Sequence, residues 1–218
     1  MRMIKNAYEI STPKGRKRAK RQLDWADHGI LRYRLHNFAQ FAPDAFRSNH
    51  PTTERFEAYA AMGIKTILTL RGAQHQPQYL FEAEVCDRLG LTLLCVPLSA
   101  RRAPNVERLG MLFEVFDQIE KPFLMHCKSG ADRTGLTSAL YLLAYEDADI
   151  ATAKAQLSFD FFHIRRTATG ILDHFLDTYE ACFNETGIGV RDWIATEYDA
   201  DALTVSFAAK QKLLKLWQ

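Results

Sequence analysis

A thiol, a guanidinium and a run of small residues stand close together in the stretch His126, Cys127, Lys128, Ser129, Gly130, Ala131, Asp132, Arg133, Thr134, Gly135. A cysteine attacks as its thiolate, and a helix N-terminus beside a cation favours that form. The arginine six positions later offers a planar fork that grips two oxygens of one phosphate. Small residues between them let successive backbone N–H groups converge on one point, as in an anion cradle. A thiolate aimed into such a cradle is placed to attack a bound phosphorus.

The cradle needs a strand before it and a helix after it. The apolar run 122–125 supplies the strand, and 136–145 reads as the helix. The same alternation fills the chain upstream. Residues 37–47 read as one or two strands, 53–62 as a helix ended by Gly63, 64–70 as a buried strand, and 77–89 as a helix stopped by Gly90. A short strand at 91–96 and an amphipathic helix at 105–119 follow, the latter with Leu109, Leu112, Phe113 and Phe116 at helical spacing. Strands alternating with helices predict an α/β fold with a mainly parallel sheet of about four to five strands. Downstream, helices are expected at 150–157 and 171–183. After the break Gly187-Ile188-Gly189, a helical C-terminal extension begins at 191. The expected organisation is a basic N-terminal arm at 1–35, a catalytic domain at 36–186, and the extension at 187–218 packed on or beside it.

His-Cys, five residues, then Arg-Thr-Gly resembles the signature of the cysteine-dependent protein tyrosine and dual-specificity phosphatases. Phe46-Arg47-Ser48-Asn49-His50-Pro51 and the run from Gly63 to Arg71 look like the opening of bacterial dual-specificity-like members. The resemblance covers about residues 38–183. It implies a dual-specificity-phosphatase-like fold and phosphomonoester hydrolysis through a phosphocysteine on Cys127. Arg133 would bind the phosphoryl oxygens, with the backbone of Lys128, Ser129, Gly130, Ala131, Asp132 and Arg133 completing the cradle. It also implies that His126 orients the loop, and that Thr134 either hydrogen-bonds the sulfur or satisfies the helix N-terminus. No cofactor or metal is called for.

One part of the family pattern is missing. Related phosphatases place an aspartate, the general acid, on a loop about thirty residues before the cysteine. Here that loop, 96–104, has no carboxylate and carries Arg101 and Arg102 instead. Asp132 inside the cradle is then the first candidate for the acid, as in relatives with a cradle aspartate; the alternatives are a substrate with a good leaving group that needs no acid, and Glu107 or a residue brought in by another loop. Arg71, Arg101, Arg102, His163 and Arg165 are candidate cations of an outer substrate pocket. A pocket of that charge suits a substrate with more than one phosphate, such as a phosphoinositide or inositol phosphate, which stands as the alternative to the phosphoprotein (phosphotyrosine) substrates that the resemblance implies. A catalytically silent phosphate-binding module is a further alternative, against which Cys127 and Arg133 both stand intact.

With 28 Lys and Arg against 26 Asp and Glu, a net charge of +2, the chain as a whole is no polyanion binder. The charge is uneven: Lys14, Arg16, Lys17, Arg18, Lys20 and Arg21 fall within eight positions, expected in part as a helix over 17–26. Such a run reads as a solvated face or as a contact for an anionic membrane surface, with nucleic acid less favoured. Cys86, Cys95, Cys127 and Cys182 fit no zinc or disulfide pattern, and a nucleophilic thiol favours a reducing cytoplasm.

Overall fold

Cys127 stands at the C-terminal end of the middle strand of a five-stranded sheet, and the rest of the sheet explains why it stands there. The computed structural model describes residues 10–27, 36–72 and 74–216. The strands are β1 (Ala39–Ala42), β2 (Ala45–Ser48), β3 (Thr66–Thr69), β4 (Thr92–Cys95) and β5 (Phe123–His126), in the order β1-β2-β5-β3-β4. β5 pairs in parallel with both β2 and β3, and β3 pairs in parallel with β4. Every residue of β3 and β5 is buried, as expected of parallel strands covered on both faces and written as near-continuous apolar runs. His126 lies level with Ser48 of β2 and Thr69 of β3, so the chain leaves the sheet at Cys127.

The helices are α1 (Pro13–Arg21), α2 (Thr53–Ala61), α3 (Pro77–Leu89), α4 (Val106–Gln118), α5 (Asp132–Tyr145), α6 (Ile150–Lys154), α7 (Ile171–Thr186), α8 (Val190–Thr196) and α9 (Ala200–Leu216). Their ends follow local chemistry. α3 has proline in its first turn and ends on left-handed Gly90, with φ 69°. The Asn105 side chain caps α4 by accepting from Arg108 N at 3.0 Å.

Three expectations shift. The basic helix runs over Pro13–Arg21 and passes into a π-helical turn, Gln22–Ala26, rather than spanning 17–26. α5 begins at Asp132, four residues before the apolar run, because nothing in Asp-Arg-Thr-Gly opposes helix at a first turn. The C-terminal extension is two helices, broken where the Asp199 carboxylate accepts from the N–H groups of Asp201 and Ala202. The N-terminal part of the arm, 1–9, and the segment 28–35 lie outside the described residues.

Contacts divide the chain into two units. The first holds residues up to Gln40, Asp44–Pro97 and Glu120–Ser129. Its core is Phe56 and Tyr59 of α2, Ile64, Ile67, Val85, Cys86, Leu91 and Leu124. α1 is tied to α3 by the Arg16 fork on both oxygens of Glu84, at 2.7 and 2.6 Å. The second unit holds Phe41–Pro43, Leu98–Ile119 and the chain from Gly130 on. Within it Phe116 packs edge-on against Tyr141 at 5.0 Å, and Trp193 of α8 meets Phe175 of α7 at 5.1 Å. Of the extension, Trp193 packs on α7, and Trp193, Ile194 and Leu203 are all buried, while Leu213 is exposed. Gly135 has no room for a side chain: a Cβ there would lie 2.6 Å from Gln156 O and 2.7 Å from Leu157 Cδ2.

Candidate active site

The cradle begins with three carbonyls turned outward. Cys127 O accepts from His126 Nδ1 at 3.2 Å, Lys128 O accepts from the His50 backbone N–H at 3.4 Å, and Ser129 O accepts from Asn37 Nδ2 at 3.0 Å. A trans peptide is planar, with its N–H opposite its C=O. Holding these carbonyls to the outside therefore turns the N–H groups of Lys128, Ser129 and Gly130 to the other side, as an anion cradle requires. Gly130 takes φ 75°, a left-handed conformation that favours glycine.

Beside Cys127 lies a buried polar layer. Cys127 is 2% exposed. His126 gives its Nδ1–H to Cys127 O, and its Nε2 makes a short hydrogen bond to Glu82 Oε1. That second bond needs a second proton, on the ring or on Glu82. His50 Nδ1 lies 3.9 Å from Glu82 Oε2, so His50, Glu82 and His126 bring three possible metal-ligand atoms within 4.8 Å of one another, all buried. In this structure Glu82 spends one oxygen on His126. Arg55 of α2 fixes the turn behind them, donating to Asn49 Oδ1 at 2.7 Å and to His50 O at 3.0 Å.

Arg47 of β2 is fully buried. Burial pulls its guanidinium down to about 10, and the nearby charge of Cys127 works in the opposite direction. A buried guanidinium so close places positive charge beside the Cys127 sulfur. The sequence shows Arg47 as part of an opening motif, with no sign of this role.

Two cations expected around the substrate meet one carboxylate. Arg71 grips Asp27 with both terminal nitrogens, at 2.9 and 2.7 Å, and Lys128 Nζ lies 3.5 Å from the same carboxylate. Arg71 is 8% exposed and Lys128 40%. Asp27 comes from the turn after the basic helix, and the arm thus reaches the cradle-side lysine.

In the second unit the cradle continues into α5. Ala131 is its N-cap residue and makes no side-chain capping hydrogen bond, and a helix N-terminus carries partial positive charge that favours an anion. Arg133 is the second residue of the helix. The Thr134 hydroxyl is buried and has no hydrogen-bond partner among the described residues, so neither bond expected of it is formed here. Asp132 turns to His163: Nδ1 donates to Asp132 Oδ1 at 2.8 Å, and Nε2 donates to Asp173 Oδ2 at 2.7 Å. Burial pulls the imidazole down, but the two carboxylates more than offset this and push it up to about 9. His163 is therefore a buried cation between two acids. It stands apart from the outer pocket assigned to it from sequence, since its side chain is 1% exposed and both ring nitrogens are taken. Arg165, half-exposed, pairs with Asp177. Arg101 and Arg102 are exposed and form no ion pair among the described residues; the loop that carries them is anchored by Tyr198 OH donating to Pro104 O at 2.7 Å. Glu107 lies in the first turn of α4.

Sequence reasoning did not single out Asp27, Glu82, Arg47 or Asp173. Asp27, Glu82 and Asp173 lie in unremarkable stretches and Arg47 in the opening motif, and each acquires its partner only through the fold.

Residues 43–147 match the family model described as the polymorphic toxin system DSP-PTPase phosphatase. This matched segment, just under half of the chain, is similar to the dual-specificity-type, cysteine-dependent phosphatases. A curated relative, dual specificity protein phosphatase TpbA of Pseudomonas aeruginosa, is 27% identical over 122 residues, which are 56% of this chain and 53% of TpbA. The chain spans about half the length of the curated relatives it matches. Two solved structures share the fold. A TpbA variant in complex with phosphotyrosine has a TM-score of 0.53 at 20% identity, covering 79% of this chain and 90% of that one. The core catalytic domain of the PP-IP phosphatase SIW14 of S. cerevisiae has a TM-score of 0.54 at 18% identity, covering 69% and 93%. Among the described residues no helix is long and apolar enough to cross a membrane.

Proposed function

We propose that this phosphatase hydrolyses phosphomonoesters through a phosphocysteine on Cys127, with phosphotyrosine in proteins as its substrate class. The observation that carries this reading is the outward pinning of three successive cradle carbonyls by His126, His50 and Asn37, directly after a buried cysteine. Cys127 sulfur attacks phosphorus as the bond to the leaving oxygen breaks. Arg133 and the cradle N–H groups hold the equatorial oxygens through the transition state. Asp132 gives the leaving oxygen its proton. Water then attacks the phosphocysteine, returning a proton to Asp132 and the sulfur to its thiolate.

Three of the five cations assigned to an outer pocket are paired with carboxylates: Arg71 with Asp27, His163 with Asp132 and Asp173, and Arg165 with Asp177. That pairing lowers the net positive field available to a second phosphate and favours a monophosphate over an inositol phosphate. Residues 36–186 would form the catalytic domain, with the arm and the extension as supports. The exposed Lys14, Lys17, Lys20 and Arg21 of α1 suit an anionic membrane surface.

The test is a panel of phosphotyrosine peptides, phosphoinositides and inositol phosphates, with Cys127→Ser as the blank. Turnover of the peptides above the other two classes is expected. Turnover confined to inositol phosphates overturns the substrate assignment, and no turnover of anything supports the silent binding module instead.

A further inference from the structure

A cradle aspartate that donates a proton must be held in one rotamer, and its charge after donation must be met. Both needs point away from the cradle, to the loop after α6. There His163 is buried with one ring N–H on Asp132 and the other on Asp173 of α7. Asp173 is itself nearly buried, with side-chain exposure 8%, and Arg165 Nε stands 4.0 Å from its other oxygen. The ring cannot turn without losing both bonds, so the geometry of Asp132 is fixed from behind. Asp132 keeps 21% exposure, which leaves a way out for its second oxygen.

We propose that His163, clamped by Asp173, is the positioning residue for Asp132, orienting its carboxyl group and stabilising the carboxylate formed when the leaving oxygen takes its proton. This rests on the reading of Asp132 as the general acid. The proton comes from Asp132 Oδ2, the oxygen not bonded to His163. The electron pair of the broken P–O bond goes to the leaving oxygen, which takes that proton. Hydrolysis of the phosphocysteine returns a proton from water to the same carboxylate. His163 keeps both of its protons throughout and transfers none.

The charged groups around this pair come from four elements: Asp132 on α5, Lys154 on α6, Asp173 and Asp177 on α7, and Lys210 on α9, with Arg165 and Arg166 on the His163 loop. Lys154, Arg165 and Lys210 are all engaged with Asp177. The contacts made by His163 itself are therefore the two carboxylates. The sequence assigned His163 to substrate binding; the geometry gives it a different task.

The experiment compares wild type, His163→Gln, Asp173→Asn and Asp132→Asn on an alkyl and an aryl phosphate across pH. Alkoxide leaving groups need the proton and phenolates need it less. His163→Gln is expected to raise the ratio of aryl to alkyl kcat by about ten-fold or more, and to move the basic limb of the alkyl profile, since a neutral amide replaces the charged neighbour of the acid. Asp173→Asn should shift both in the same direction by less. If His163→Gln leaves ratio and limb unchanged while Asp132→Asn raises the ratio, the positioning role is overturned and the acid stands. If Asp132→Asn itself leaves the ratio unchanged, the acid reading fails first. A measurement on the intact wild-type chain covers variants that do not fold: ring-nitrogen NMR should show His163 doubly protonated well above its ordinary value, and titration near about 6.5 would overturn the clamp.

Discussion

Arg71 holds Asp27 in a bidentate fork, 2.9 and 2.7 Å, and Lys128 of the cradle reaches the same carboxylate. Asp27 therefore occupies two cations beside the phosphate loop with a group that resembles a phosphate edge. Replacing it by asparagine removes the charge and keeps the shape. Asp27→Asn should lower KM for an inositol bisphosphate several-fold relative to an aryl monophosphate. It should also cost about 1–3 kcal/mol of stability in urea denaturation, as expected for a hydrogen bond to a charged group. An unchanged KM ratio would show that Arg71 and Lys128 do not face substrate.

Glu82 and His126 form a buried pair next to Cys127, with side-chain exposures of 1% and 0%. Removing one member leaves the other without its partner in the core. Glu82→Ala should destabilise the chain by about 3–5 kcal/mol, and Glu82→Gln by less, because the amide can still hydrogen-bond. Chemical denaturation measures both, and a loss below about 1 kcal/mol for the alanine variant contradicts the assigned role of the pair.

The raised His163 imidazole links stability to pH. Its ordinary value is 6.5 and its folded value about 9, so the folded state binds the proton more tightly. The stabilisation is fully present below the ordinary value and is lost as pH rises through about 9. Its size is of the order of 3 kcal/mol. The stability gap between wild type and His163→Gln should be wide near about pH 6 and narrow near about pH 10. A gap that widens with pH would have the wrong sign for a charged His163.

Gly135 carries a packing constraint. A methyl group there would stand within 2.7 Å of both Gln156 O and Leu157 Cδ2. Gly135→Ala should lose about 1–3 kcal/mol through overpacking, despite alanine's better helix propensity. Thermal denaturation decides the sign: a stabilised variant would mean that the 156–157 backbone yields easily.

The sheet was legible in the sequence because its strands are short apolar runs punctuated by glycine, and because Cys127 to Gly135 carries its chemistry in consecutive residues. Helix ends at Gly90 and Asn105 were legible for the same local reason. What escaped are relationships between distant positions. Glu82 is an ordinary acid within a helix, 44 residues before His126. Asp27 sits at the end of a basic run and counts in sequence only as one acid among cations. His163 lies between an apolar Phe-Phe and two arginines, a setting that suggested a surface cation, and only the fold shows two carboxylates closing on it. Asp132 was singled out by elimination, since the preceding loop lacks an acid, but its anchorage on His163 depends on α7.

The most direct measurement is a rapid acid quench of the full-length protein during turnover of an aryl phosphate, with peptide mass spectrometry. A phosphoryl group on the peptide holding Cys127, absent from Cys127→Ser along with turnover, is the expected result. Turnover that survives Cys127→Ser, or a phosphoryl group on any other residue, would contradict the mechanism at its first step.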